Sequence, residues 1–206
     1  MLSIENIKDV IFDFDGVIID SEKKKFKNIQ NILKDYNFNL NDSEYHNFIG
    51  KKRAKFLEEI GVSNIEEIMS KIHAKDSDDF ILIEDLLSFI EFLHKNKIKM
   101  HIATGSLRKF VEQLLIKHNI KKYFSEIITG DEIDESKPNP KIYIEMKKRI
   151  SSNHIVVIED SPVGVKAAKD AELFVIGLGI NLNANIECSS YKDLLKLFQQ
   201  THRVLK

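Results

Sequence analysis

Four stretches of the chain are apolar enough to be strands covered on both faces: VIFDF (10–14), KMHIATG (99–105), HIVVIED (154–160) and LFVIGLG (173–179). A shorter stretch, EIITGD (126–131), reads as a fifth. Between them the apolar period changes. In IEDLLSFIEFLHKN (83–96), Leu86, Leu87, Ile90 and Leu93 recur at helical spacing, and residues 107–118, 139–150 and 162–171 read the same way. Strand and helix alternating with short connections predict an α/β fold with a doubly wound parallel sheet.

Residues 18–80 break this rhythm. For about sixty positions after the first strand no second strand follows, and the pattern predicts helices at 21–35, 42–49, 51–60 and 64–79. Asn37, Asn39, Asn41 and Asp42 punctuate the segment, and Gly61 fits a helix C-cap. The segment therefore reads as a helical insertion. Lys23, Lys24 and Lys25 are expected on a solvated helix face.

Composition narrows the function classes. With 206 residues, 43% hydrophobic and 31% charged, the chain can bury a sizeable core. A net charge of −1 gives no global field for nucleic acid or anionic lipid. The single cysteine, Cys188, excludes an intrachain disulfide and offers no thiolate zinc site. No apolar run approaches the roughly 18 residues of a membrane span, and MLSIENIKDV lacks a signal-peptide pattern. The expectation is a cytoplasmic protein, a monomer or weak homodimer, with neither nucleic acid nor membrane as partner.

The chemistry concentrates at the strand ends. Asp13 and Asp15 interrupt the first apolar run just before Gly16. On a strand, residues two apart share a face, so two carboxylates repel there unless a cation lies between them or one holds a proton. An Asp15-Gly16 turn accounts for Asp15 but not for Asp13 inside the run. Glu159 and Asp160 end another strand in the same manner, ahead of Ser161 as N-cap and Pro162 at the first helical position. Placed beside Asp13 in a parallel sheet, Asp160 becomes a hard oxygen ligand, and such a set suits Mg²⁺. Thr104, Gly105 and Ser106, between a strand and a helix, can present N–H groups to an anion. Lys137 lies between Ser136 and Pro138, with Pro140 following. All these clusters fall at the carboxyl ends of predicted parallel strands, the edge where open α/β sheets bind ligands.

DFDGVIIDSE, ATGS, SKPNP and VVIEDSPVGVKAA, in this order, resemble the four motifs of the haloacid dehalogenase superfamily, and most closely its β-phosphoglucomutase and phosphatase-like branch with a helical cap. The resemblance covers essentially the whole chain. It implies a Rossmann-like core of residues 1–17 and 81–206 with a cap domain of residues 18–80. It further implies that Asp13 is a nucleophile forming an aspartyl phosphate and Asp15 the general acid and base. Mg²⁺ would be held by Asp13, the Asp15 backbone carbonyl and Asp160, with Glu159 near it. Thr104, Gly105, Ser106 and Lys137 would bind the transferring phosphoryl group. Gly50-Lys51-Lys52-Arg53 resembles a cap specificity loop, so Arg53, with Lys52 and Lys75, would contact substrate.

The implied activity is Mg²⁺-dependent hydrolysis of a small-molecule phosphate ester, such as a sugar phosphate. A phosphomutase is the enzymatic alternative, although Lys25 stands where the mutase pattern carries histidine. A receiver-type phosphorylation switch also uses acids, Mg²⁺, Thr or Ser and Lys, but is shorter and lacks the helical insertion.

Overall fold

The protein is described by a computed structural model that covers residues 7–48, 53–75 and 80–203. It divides into two compact units. One comprises the chain up to Ile19 and from Leu82 onward, the other Asp20–Ile81.

The first unit is a six-stranded sheet. Strand β1 (Asp9–Phe12) is followed, after the second unit, by α5 (Leu86–Lys95), β2 (Lys99–Ala103), α6 (Arg108–Lys117) and β3 (Phe124–Ile128). Then come α7 (Lys141–Arg149), β4 (Ile155–Glu159), α8 (Pro162–Asp170), β5 (Phe174–Leu178), β6 (Ile186–Cys188) and α9 (Tyr191–Arg203). The strand order is β3-β2-β1-β4-β5-β6, and every pairing is parallel. The winding direction reverses between β1 and β4, which opens the crevice of a doubly wound sheet at their carboxyl ends.

Both faces are covered, so β1 and β4 are buried throughout and apolar except for Asp9 and Glu159. Ile11 and Val157 pack with Tyr143 and Met146 of α7 and Val165 of α8 on one face. On the other, Phe12 meets the Phe89 ring at 6.2 Å, and Phe89 meets Phe198 of α9 at 5.1 Å. Asp9 finds a buried partner near the amino ends of the strands, where His101 Nε2 lies 2.9 Å from Asp9 Oδ1.

The second unit is helical: α1 (Ser21–Lys34), α2 (Tyr45–Phe48), α3 (Arg53–Glu59) and α4 (Ile65–Lys75). Its core is aromatic, with Phe26, Phe48 and Phe56 in mutual contact at 5.2–6.2 Å. The buried Gln30 amide donates to Leu40 O at 3.0 Å and Asp42 Oδ1 at 2.7 Å, fastening the connection after α1.

Several boundaries differ from the sequence reading. The first strand ends at Phe12, because Phe14 O accepts the N–H groups of Ile18 and Ile19 and turns the chain. Strand β3 spans 124–128 instead of 126–131, since Thr129 opens a capped turn at 130–132. The helix expected over 42–49 is a 3₁₀ turn (42–44) running into α2, and residue 49 lies outside the described residues, as do 51–52 and 76–79 of the other two expected helices. Strand β6 and helix α9 extend the sheet unit beyond the elements assigned from sequence.

Candidate active site

The carboxyl end of β1 continues its ladder for one residue, Asp13 N–H donating to Ile158 O at 3.0 Å. Asp13 therefore projects on the Ile11 side, toward α7, and is buried. Lys137 reaches it from the loop before α7. Its ammonium donates to Asp13 Oδ1 at 2.6 Å, to Glu159 Oε1 at 2.6 Å and to Ala103 O at 3.2 Å. Burial alone would strip the ammonium of its proton, but Asp13, Tyr143 and Glu159 hold its pKa well above the ordinary lysine value.

Glu159 is fully buried and saturated with donors. Besides Lys137, Oε1 accepts the Tyr143 hydroxyl at 2.8 Å. Oε2 accepts Asp160 N–H at 3.1 Å, Ser161 N–H at 3.3 Å and the Ser161 hydroxyl at 3.0 Å. Ser161 in turn caps α8 by accepting Gly164 N–H at 3.1 Å, with Pro162 in the first turn.

Asp160 closes the arrangement across the switch point. Gly16, at φ +74°, packs so tightly on it that a Cβ there would lie 1.7 Å from Asp160 Oδ2. Oxygens of Asp13, Glu159 and Asp160 lie within 4.8 Å of one another. Burial, reinforced by neighbouring carboxylates, pushes Asp13 up to about 7 and Asp160 up to about 8. This is an excess of negative charge that one lysine does not balance. Hard oxygens at this spacing fit a divalent cation, which would reverse the local charge and keep both aspartates ionised.

Asp15 is held differently. It lies beyond the end of the strand, so it does not simply share a strand face with Asp13. The Ser106 hydroxyl donates to Asp15 Oδ2 at 2.6 Å. Ser106 N–H donates to Thr104 Oγ1 at 3.1 Å, so the buried Thr104 hydroxyl uses a lone pair there and keeps its own proton to offer an anion. Gly105, Gly130 and Lys137 border one cavity of about 270 Å³.

The structure thus brings Asp13, Asp15, Thr104, Gly105, Ser106, Lys137, Glu159 and Asp160 to one sheet edge. Arg53 opens α3 of the helical unit. Lys52 lies outside the described residues, as does the side chain of Lys75 at the end of α4. Tyr143 is a site residue the sequence reading missed. In KIYIEM it has the spacing of a core position, and only its proximity to Glu159 reveals the use of its hydroxyl.

Residues 10–178 match the family described as haloacid dehalogenase-like hydrolase. The chain is 27% identical over 173 residues to the phosphorylated carbohydrates phosphatase of Thermotoga maritima, covering 79% of this chain and 80% of that protein. It is 28% identical over 191 residues to (DL)-glycerol-3-phosphatase 2 of Arabidopsis thaliana, covering 83% of this chain and 79% of the relative. Among solved structures, a hydrolase from Deinococcus radiodurans R1 with bound phosphate and sodium shares the fold at a TM-score of 0.79 and 20% identity, over 95% of this chain and 96% of that one.

Proposed function

The chain belongs to the haloacid dehalogenase-like hydrolase family and is a phosphoric monoester hydrolase, and we propose that it is a Mg²⁺-dependent phosphatase of a small phosphorylated carbohydrate or polyol, acting through an aspartyl phosphate on Asp13. The observation that carries this reading is the buried Asp13 carboxylate gripped by Lys137 at 2.6 Å, with Asp160 across the switch point and Asp15 two residues on. The names of the two relatives support the substrate class.

The residues divide the work as follows. Asp13 attacks phosphorus as the bond to the leaving oxygen breaks, and Asp15 gives that oxygen a proton. Lys137 and Thr104 face the charge carried by the transferring group. In the second half Asp15 takes a proton from water, which attacks the aspartyl phosphate and releases inorganic phosphate. Asp13, Asp160 and the Asp15 carbonyl, with Glu159 beside them, would hold Mg²⁺, which would supply charge neutralisation for two anions brought together. Arg53, with Lys52 and Lys75, is the proposed contact to the rest of the substrate.

Asp13→Asn tests the assignment. Turnover of an aryl phosphate should vanish while the circular dichroism spectrum stays native, and full activity would overturn the nucleophile assignment. Supplied with β-glucose 1-phosphate, the enzyme should release free phosphate. Accumulation of glucose 6-phosphate would establish a mutase instead.

A further inference from the structure

Ser106 has one hydroxyl proton, and it is given to Asp15. A hydroxyl that donates to a carboxylate cannot donate to a phosphate at the same time. The residue is moreover fixed from behind by the turn that follows β3. Gly130 N–H donates to Ser106 O at 2.9 Å, and a Cβ at Gly130 would lie 2.1 Å from Gly105 O, so the two loops meet backbone to backbone. Asp131 Oδ1 accepts Arg108 N–H at 3.1 Å, closing the first turn of α6 from outside that helix. The Arg108 guanidinium returns the contact, donating to Ile127 O at 2.7 Å and pairing with Glu132. The turn is itself rigid. The buried Thr129 hydroxyl is shared between Asp131 Oδ1 at 2.7 Å and Glu132 Oε1 at 2.9 Å, and Glu132 closes a capping box on Thr129 N–H.

We propose that Ser106 is a positioning residue for the acid and base Asp15, and that Gly130, Asp131 and Glu132 form a jaw that sets Ser106 in place. The inference rests on the phosphatase reading and deepens it, moving Ser106 from the phosphate to the proton. The Ser106 hydroxyl bonds Oδ2 of Asp15 at 2.6 Å and so fixes the plane of the carboxyl from which Asp15 gives its proton. As the Asp13 oxygen bonds to phosphorus and the ester P–O bond breaks, the leaving alkoxide takes that proton and Asp15 is left as a carboxylate. The return transfer, from water to the same carboxylate, restores it.

An acid matters most when the leaving group is poor, which separates this role from phosphate binding. For Ser106→Ala, kcat/KM should fall up to about a hundredfold on an alkyl ester such as glycerol 3-phosphate. It should change little on 4-nitrophenyl phosphate, whose phenolate leaves unaided. Ser106→Thr, which keeps the hydroxyl, should restore the alkyl rate. Asp131→Ala should show the same alkyl-selective loss at smaller size, and Asp131→Asn, which still accepts the Arg108 N–H, should be near wild type. Equal losses on both esters in Ser106→Ala, appearing mainly in KM, would overturn the proposal and return Ser106 to the phosphate. A normal alkyl-to-aryl ratio in Asp131→Ala would overturn the jaw. A wild-type enzyme that hydrolyses neither ester in the presence of Mg²⁺ would instead refute the phosphatase reading beneath it.

Discussion

The two aspartates of one short segment are held by opposite means. On the α7 and β4 flank, Asp13 is buried in charge: an ammonium and two further acids, one of which also takes a tyrosine hydroxyl. On the flank of the loops after β2 and β3, Asp15 is half-buried and steadied by a neutral hydroxyl, backed by main-chain contacts between loops. A buried charge is strongly orienting but intolerant of losing a partner. A neutral hydrogen bond orients while leaving a carboxyl able to gain and lose its proton. The proposed nucleophile, which must stay charged and still, and the proposed proton carrier, which must change state, each sit in the setting that suits them.

The largest break in this contrast is Lys137→Met. It removes the one cation that, among the described residues, is bonded to both Asp13 and Glu159 and leaves buried carboxylates uncompensated, a loss of about 3–5 kcal/mol. Turnover should fall by about 10²–10³-fold, the effect of deleting a donor aimed at developing charge. Thermal unfolding with added Mg²⁺ should recover part of the stability while phosphate release stays low. Equal recovery of both would mean that the ammonium supplies only charge balance.

Gly130→Ala strikes the other flank and should do less. The new Cβ collides with a backbone oxygen of Gly105, so the loop pair must part, at about 1–3 kcal/mol. Because no charge is stranded, added Mg²⁺ should not restore its stability. A Mg²⁺ response as large as that of Lys137→Met would erase the distinction between the flanks.

Much of the first flank is legible in sequence, because a charge inside an apolar run is costly and must be there for a reason. Asp13 and Glu159 stand out for that cause, and Lys137 gains weight from its neighbouring prolines. The second flank is far less legible. Its contacts are between backbones 24 to 25 residues apart, and glycine at 130 reads as an ordinary turn until Gly105 is placed against it. Ser106 reads as an anion-binding hydroxyl because its neighbours do; the direction of one O–H bond is a tertiary fact. Strand β6 escapes for a plainer reason: IEC is three residues long, and its pairing with β5 defines it rather than any period of its own. In the helical unit the aromatic core is visible as helical spacing, but the residues proposed to contact a substrate are polar positions among many similar ones.

Tyr143→Phe is the finest probe of the comparison, since it removes one oxygen from the charged flank and nothing else. The phenol, kept protonated by burial and by Glu159, donates to the carboxylate oxygen that also receives Lys137. Without it, Oε1 retains the ammonium, and Oε2 retains its three donors around Ser161. No buried charge is orphaned, so the cost should be that of a single hydrogen bond to an ionised group, about 1.5 kcal/mol in urea unfolding. The ring also lies under the Lys137 ammonium, 5.0 Å from its nitrogen, and phenylalanine preserves that contact. Turnover should therefore drop by about tenfold at most, equally on alkyl and aryl esters, because the defect lies with the proposed nucleophile and not with the proton. An alkyl-selective loss would mean that the two flanks are coupled through the lysine and do not act as separate supports.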